Sequence, residues 1–177
     1  MKNKLEIKDI LGKVLFAYEC EDNTIKKTVE EAVKKDISLR NANLCNANLC
    51  YADLRNADLY YVDFSDANLS GADFGAANLF GANLCCADLS GADLNDAKLC
   101  YANLSDVDLG GANLRGVDLC CTNLYGAYLN CAKNIPFIPL ACPSEGSFVG
   151  WKKNKQLSYQ IIHTRGCKAN FRHNKQM

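Results

Sequence analysis

Residues 67–96 read ANLSG-ADFGA-ANLFG-ANLCC-ADLSG-ADLND, and this stretch decides the fold. A Leu or Phe stands at every fifth position, and the same register continues without a slip from Leu39 to Leu129. Among these nineteen centres only Phe64 and Phe74 are not Leu. An α-helix would spread residues of this period around its circumference, and a flat strand would put alternate ones on opposite faces. The period therefore predicts a coil that turns a corner every five residues.

Small and polar residues precede each centre. The residue two positions before it is Ala in fourteen of the nineteen repeats. The other five are Ile37, Val62, Val107, Val117 and Thr122. The residue directly before the centre is Asn or Asp in sixteen repeats. We expect the centre and the small residue to point inward, because only a small side chain fits beside a large one near a corner. Glycine is frequent two residues after the centre, where it suits corner geometry, as at Gly71, Gly81, Gly91 and Gly111.

The repeated unit Ala-(Asp/Asn)-Leu-x-x, uninterrupted by proline over residues 37–132, resembles the pentapeptide-repeat family. The resemblance implies an all-β solenoid, a right-handed quadrilateral β-helix with four repeats per coil. Nineteen repeats at four per coil would make about 4.75 coils, stacked at the ordinary strand spacing of about 4.8 Å. Each coil of such a rod contacts only its neighbours, so both ends need caps.

The sequence divides into three parts. We predict an N-terminal cap of strands plus one helix for residues 1–36, the solenoid for 37–132, and a C-terminal cap with an irregular basic tail for 133–177. Asn23 or Thr24 is expected to cap the helix. The first part resembles the opening segment of phage and prophage members of the family, which indicates a phage-related protein.

Charge and apolar residues are unevenly distributed along the chain. Residues 37–132 carry four basic and eleven acidic residues, net −7, whereas 133–177 carry eight basic and one acidic, net +7. No stretch resembles a secretory signal or approaches about 18 consecutive apolar residues. We therefore expect a cytoplasmic protein with no membrane partner, whose eleven cysteines are mostly reduced.

The spacing of the cysteines does not favour a metal site. Two adjacent pairs occur, Cys85–Cys86 and Cys120–Cys121, and neighbouring side chains of an extended chain are expected to diverge. Cys100 and Cys120 are one coil apart at equivalent positions, which is within disulfide range. The spacing is compatible with either a disulfide or two thiols at that pair.

The sequence carries no recognisable catalytic motif. Histidine, the commonest general base, occurs only at His163 and His173, and neither lies near a nucleophile motif. We therefore predict no catalytic residue, no metal, no cofactor and no enzymatic activity.

Three surfaces are candidate binding sites. An acidic face recurs every 20 residues at Asp53, Asp73 and Asp93. Aromatic residues, which are favoured interface anchors, are expected near the surface at Tyr51, Tyr60, Tyr61, Phe80 and Tyr101. A basic tail contains Lys152, Lys153, Lys155, Arg165, Lys168, Arg172 and Lys175.

These surfaces support three functional hypotheses. The leading one is a non-enzymatic scaffold that binds an unidentified protein partner. The resemblance implies a second, because some pentapeptide-repeat proteins act on DNA gyrase by presenting an acidic rod in place of duplex DNA. The third is nucleic-acid binding through the basic tail.

Overall fold

The structure, a computed structural model, describes residues 2–136. The chain opens with two antiparallel strands, β1 (Lys2–Lys8) and β2 (Val14–Glu21), followed by helix α1 (Ile25–Lys34). Thr24, one of the two residues expected to cap the helix, accepts a hydrogen bond from the Lys27 N–H through its side chain. No helix in this part of the chain is long and apolar enough to cross a bilayer.

From residue 37 the backbone winds in four-sided coils of 20 residues. Parallel bridges join each Asn or Asp position to the residue 20 later, as in Asn43 to Asp63 and Asp63 to Asn83. Between the bridges, amide groups of one coil donate to carbonyl groups of the next, such as Leu44 N–H to Asp63 O at 2.8 Å. Four repeats therefore make one coil, as predicted.

The interior of the coils is filled with side chains. Every centre from Leu39 to Leu129 is buried, and so are nearly all the small residues two positions before a centre. Phe64 and Phe74 meet edge to face with ring centroids 6.1 Å apart. Thr122 replaces the usual Ala, and its hydroxyl donates to Leu99 O at 2.8 Å, so the buried polar group is satisfied. The rod has a packed core.

Each corner is a turn closed by a hydrogen bond from the residue three positions after the centre, for example Ala42 N–H to Leu39 O. The second residue after each centre has a positive φ, from Asn41 (57°) to Cys131 (58°). A positive φ at that turn position marks a type II turn, which glycine adopts without strain. The corner role predicted for glycine is confirmed, since Gly71 has φ 64°.

Side-chain hydrogen bonds explain the preference for Asn or Asp before the centre. The side-chain oxygen accepts the N–H two residues later, as in Gly75 N–H to Asp73 Oδ1 at 2.9 Å. On one face, Asn side chains also donate along the rod, from Asn103 to Asn83 and from Asn83 to Asp63. Asx turns of this kind hold the chain in the corner conformation.

The N-terminal elements cover the first coil. Asn43 N–H donates to Lys8 O at 2.8 Å, and Asp9 forms an antiparallel bridge with Ala42. On the other side, Val29 of α1 is fully buried in the same core as the solenoid, and Lys26 Nζ donates to Tyr51 O. The strand edge and the first apolar layer are thereby closed to other chains.

Corner geometry gives a matched pair of predictions. Ala76 has φ 56°. Replacing it with Gly removes left-handed backbone strain of about 1–2 kcal/mol and adds a smaller cost in chain entropy. Ala76→Gly should therefore stabilise the fold by up to about 1 kcal/mol. Gly91→Ala should cost about 1 kcal/mol through strain alone, since nothing lies within 4 Å of the added Cβ. Urea denaturation of both variants is the measurement, and shifts of the same sign would contradict the geometry.

Candidate protein-interaction surface: the aromatic corner

Four of the five predicted aromatic contacts lie at one corner of the rod. Tyr60, Tyr61, Phe80 and Tyr101 occupy the two turn positions of that corner in three successive coils, and Arg40 holds the first turn position in the coil before them. We call these five residues the aromatic corner. Arg40 was not predicted from the sequence, although it lies one coil of 20 residues before Tyr60 and the repeat period therefore places it at the same corner.

The rings of the aromatic corner are packed against one another. Tyr60 and Phe80 stack with centroids 5.2 Å apart and planes 6° from parallel. Tyr61 meets the Tyr60 ring edge-on at 4.5 Å, and Tyr101 extends the column at 5.3 Å from Phe80. Offset stacks and edge contacts are the favourable arrangements for aromatic pairs. The rings therefore form one continuous column along the rod.

A cation covers the upper end of the column. The Arg40 guanidinium carbon lies 4.7 Å from the centroid of the Tyr60 ring, within cation–π range. Asp58 holds it there, because its carboxylate pairs with Arg40 Nε at 2.9 Å and also accepts the Ser38 hydroxyl. The guanidinium is thus oriented before any partner arrives.

The column is open to solvent. Tyr61 is 47% exposed and Tyr101 is 60% exposed, whereas Tyr60 and Phe80 are half-buried beneath them. A Cβ added at Gly81 would stand 2.5 Å from the Tyr61 ring. The ring therefore occupies space that is free because residue 81 is Gly and has no side chain. Aromatic rings that are already ordered lose little entropy on binding, which suits them to anchor a protein interface.

Tyr51 lies elsewhere. It precedes Tyr61 by ten residues, which is half a coil, and so it occupies the diagonally opposite corner. Its ring is 74% exposed and lies over Gly71. The structure therefore does not bring this fifth aromatic candidate to the aromatic corner.

The thiol below the column is tied to a carboxylate. Cys100 Sγ donates to Asp118 Oδ2 at 2.9 Å, and burial together with this hydrogen bond raises the pKa of Cys100 to about 12. Cys100 and Cys120 are both free cysteines, so the disulfide considered for them is not formed. Interaction with Cys121 raises the pKa of Tyr101. Tyr101 and Cys100 are therefore neutral near pH 7.

The predicted acidic face is stacked but partly neutralised. Parallel bridges join Asp53 to Asp73 and Asp73 to Asp93. Arg55 pairs with Asp53 at 2.6 Å and lies 3.6 Å from Asp73, and its guanidinium holds the pKa of Asp53 below the ordinary value. This face therefore presents less free negative charge than the sequence alone suggested.

An acidic surface without Lys or Arg lies on the other side of the rod. Residues 42–51 and their equivalents in each later coil, through 122–131, contain five carboxylates and no Lys or Arg. We call this side the acidic half; its carboxylates are Asp63, Asp66, Asp88, Asp106 and Asp108. All the Lys and Arg residues between 37 and 136 lie on the opposite side, at Arg40, Arg55, Lys98, Arg115 and Lys133. Sorting the charged residues by coil position would have found this asymmetry.

The expectation that adjacent cysteine side chains diverge is wrong. Each pair occupies the two central positions of a corner turn, and the sulfurs converge to 3.3 Å in Cys85–Cys86 and 3.7 Å in Cys120–Cys121. Across residues 2–136, no group of three or more His, Cys, Asp or Glu residues could hold a metal ion. The basic tail from Lys152 to Lys175 lies outside the described residues.

The repeats identify the family. A model of the family described as pentapeptide repeats matches in eight copies over residues 37–75, 77–116 and 97–133, together more than half of the chain. The chain belongs to the pentapeptide repeat family. Its solenoid is the right-handed quadrilateral β-helix of that family, as predicted. Pentapeptide repeat proteins are in general structural or interaction modules.

Solved structures of other pentapeptide repeat proteins resemble this one. A protein from Nostoc PCC 7120 is 36% identical, with a TM-score of 0.37, and the match covers 49% of this chain and 63% of that one. Rfr23 from Cyanothece 51142 is 42% identical, with a TM-score of 0.28, over 55% and 62% of the two chains. QnrB1, a plasmid-mediated fluoroquinolone resistance protein, is 21% identical, with a TM-score of 0.25, over 52% and 58%.

In each of these three comparisons the chain spans less than two thirds of the length of the other protein. No curated protein matches it. The match of the repeats to the family model establishes the family of this pentapeptide repeat protein. The surfaces of its solenoid are the basis for proposing a function.

Proposed function

We propose that this pentapeptide repeat protein is a non-enzymatic, rigid scaffold that binds a protein partner through its aromatic corner. The observation that supports the proposal is the ordered, solvent-exposed ring column of Tyr60, Tyr61, Phe80 and Tyr101 beneath a fixed Arg40. Tyr and Arg are enriched among the residues that dominate binding energy at protein interfaces. A cytoplasmic location and a phage-related accessory role remain part of this proposal.

The rigidity of the rod favours binding at this corner. The backbone at the corner is hydrogen-bonded to the next coil, as in Tyr61 N–H to Phe80 O at 2.9 Å and Gly81 N–H to Cys100 O at 2.9 Å. The surface that a partner meets is thus already in place. Immobilising a mobile side chain on association costs about 0.5–1.5 kcal/mol, and little of that cost remains for side chains that are already ordered.

A variant of the aromatic corner tests the proposal. It carries Tyr60→Ser, Tyr61→Asn, Phe80→Ser and Tyr101→Asn, because Ser and Asn already occupy the same turn positions elsewhere, for example at Ser65 and Asn46. In a quantitative pull-down, at least one protein retained by wild type should drop about tenfold or more with the variant. Circular dichroism of both proteins is the control for folding. Equal recovery of every protein by both would refute the proposal.

The acidic half supports a second candidate, an acidic rod that acts on DNA gyrase. Five carboxylates without a basic residue create a one-sided negative field that could take the place of duplex DNA in a basic protein groove.

A supercoiling assay tests this candidate. Inhibition by wild type should disappear when all five carboxylates are changed to Asn. The fold accepts Asn at these repeat positions, since Asn46 and Asn83 already occupy them in other coils. Changing Asp53, Asp73 and Asp93 to Asn should matter less. Absence of inhibition by wild type removes this candidate.

Nucleic-acid binding through the basic tail remains a third proposal, supported by the net charge of +7 over residues 133–177. DNA affinity that falls steeply with salt would favour it, since each neutralised phosphate releases counterions. Absence of DNA binding by the full chain at low salt would dismiss it.

A further inference from the structure

The Cys85–Cys86 pair is an exposed dithiol with converging sulfurs. The two Sγ atoms are 3.3 Å apart, Cys86 is exposed and Cys85 is half-buried. The pair lies on the acidic half, midway along the rod. Neither the proposed aromatic corner nor the acidic-rod alternative uses these thiols.

The corner turn fixes the convergence. Cys85 and Cys86 are the two central residues of the turn, and Cys86 has φ 60°. The turn is closed by Ala87 N–H to Leu84 O at 3.1 Å and joined to the next coil by Cys86 N–H to Ser105 O at 2.9 Å. The backbone under both thiols is therefore held on two sides, which prepares them to meet one ligand together.

A disulfide within the pair is unfavourable. Consecutive Cα atoms are about 3.8 Å apart across a trans peptide, whereas disulfides usually require about 4.4–6.8 Å. Hydrogen bonding to Cys85 raises the pKa of Cys86 to about 11, with a further contribution from the Asp66 and Asp106 carboxylates, so few thiolates are present near neutral pH to react with oxidants. The pair persists as a dithiol.

The sulfur separation is closer to what some bridging atoms require than to what others require. With bonds to sulfur of about 2.3 Å, a linear two-coordinate ion needs sulfurs about 4.6 Å apart and a tetrahedral ion about 3.8 Å. A separation of 3.3 Å instead corresponds to an angle near a right angle at the bridging atom. Trivalent arsenic, whose three bonds form a shallow pyramid, has bond angles of this kind and strong affinity for two thiols.

We propose that Cys85 and Cys86 form a binding site for neutral trivalent arsenicals. With phenylarsine oxide the step is PhAsO + 2 RSH → PhAs(SR)₂ + H₂O. Two arsenic–sulfur bonds form, the arsenic–oxygen double bond breaks, and both thiol protons leave with that oxygen as water. Arsenic stays trivalent and no oxidant is needed. A neutral arsenical is not repelled by the adjacent Asp66 and Asp106 carboxylates.

The second adjacent pair is a built-in comparison. The sulfurs of Cys120 and Cys121 are 3.7 Å apart, and Cys121 also interacts with Tyr101. An atom bridging that pair would need a wider sulfur–atom–sulfur angle than one bridging Cys85 and Cys86, and the interaction of Cys121 with Tyr101 would compete with its binding. Cys85–Cys86 should therefore be occupied first.

The test uses the full chain with one molar equivalent of phenylarsine oxide, followed by tryptic digestion without added thiol and mass spectrometry. Cleavage after Arg55 and Lys98 yields a peptide, residues 56–98, whose two cysteines are Cys85 and Cys86. Cys120 and Cys121 fall in the separate peptide 116–133. The arsenical should be found on 56–98, with a mass showing that both thiols are bound.

Single substitutions show whether both sulfurs are required. Cys85→Ser and Cys86→Ser should each weaken binding at this site by about 100-fold, because the second bond forms intramolecularly once the first has formed. Ser65 and Ser105 occupy the position of Cys85 in adjacent coils, so the Cys85→Ser variant should fold normally. Cys45→Ser, at the same corner, is the matched control. Preferential labelling of another peptide, or retention of the adduct in both variants, would overturn the proposal.

Discussion

Leu84→Ala is expected to lower the free energy of unfolding by about 2–5 kcal/mol, the range for large-to-small substitutions in a packed core. Leu84 is fully buried in the middle of the rod, between Phe64 of the preceding coil and Leu104 of the next, both also buried. Coils above and below are hydrogen-bonded to this one and cannot close the cavity without breaking the stack. Urea denaturation followed by circular dichroism measures the change.

Leu11 supplies the control for this prediction. It is 88% exposed in the turn between the two N-terminal strands, so Leu11→Ala should change stability by no more than about 0.5 kcal/mol. If the two substitutions have equal effects, the interior of the solenoid is not packed as described.

Tyr60→Ser is expected to weaken partner binding by about 30-fold, which corresponds to about 2 kcal/mol, the lower bound for an interface hot spot. Tyr60 is the centre of the aromatic corner, since it stacks on Phe80, contacts Tyr61 edge-on and lies under Arg40. Its loss therefore removes a contact and also the support for its neighbours. Isothermal titration calorimetry with the partner recovered in the pull-down is the measurement.

Tyr51→Asn is the matched control for Tyr60→Ser. Tyr51 is more exposed than Tyr61 or Tyr101, yet it stands on the diagonally opposite corner. The proposal predicts unchanged affinity for this variant. A loss of affinity with Tyr51→Asn and none with Tyr60→Ser would place the interface on the other side of the rod.

The solenoid could be predicted because its geometry repeats as strictly as its sequence. Once Leu39 to Leu129 are known to share one interior, the period of five and the four-sided coil assign every position to a face, a corner or the core. The stacking of Asp53, Asp73 and Asp93 followed from the same arithmetic. Burial is a property of the whole repeat, so no single atypical residue, such as Thr122, disturbs it.

Surface chemistry was harder to predict because it depends on side-chain direction. The convergence of Cys85 and Cys86 follows from a left-handed turn residue, and an extended chain was assumed for that pair. The neutralisation of Asp53 required knowing that Arg55 folds back across its own repeat. Tyr51 was grouped with Tyr61 by residue type alone, although ten residues separate opposite corners.

Hydroxyl-radical footprinting of the complex with the recovered partner tests the central claim most directly, because tyrosine oxidation reports exposure one residue at a time. Tyr61 and Tyr101 are exposed in the free protein and should be protected, whereas Tyr51 and Tyr125, on other corners, should be oxidised as before. Protection of Tyr51 or Tyr125 with unchanged oxidation of Tyr61 and Tyr101 would contradict the assignment of the aromatic corner as the binding surface.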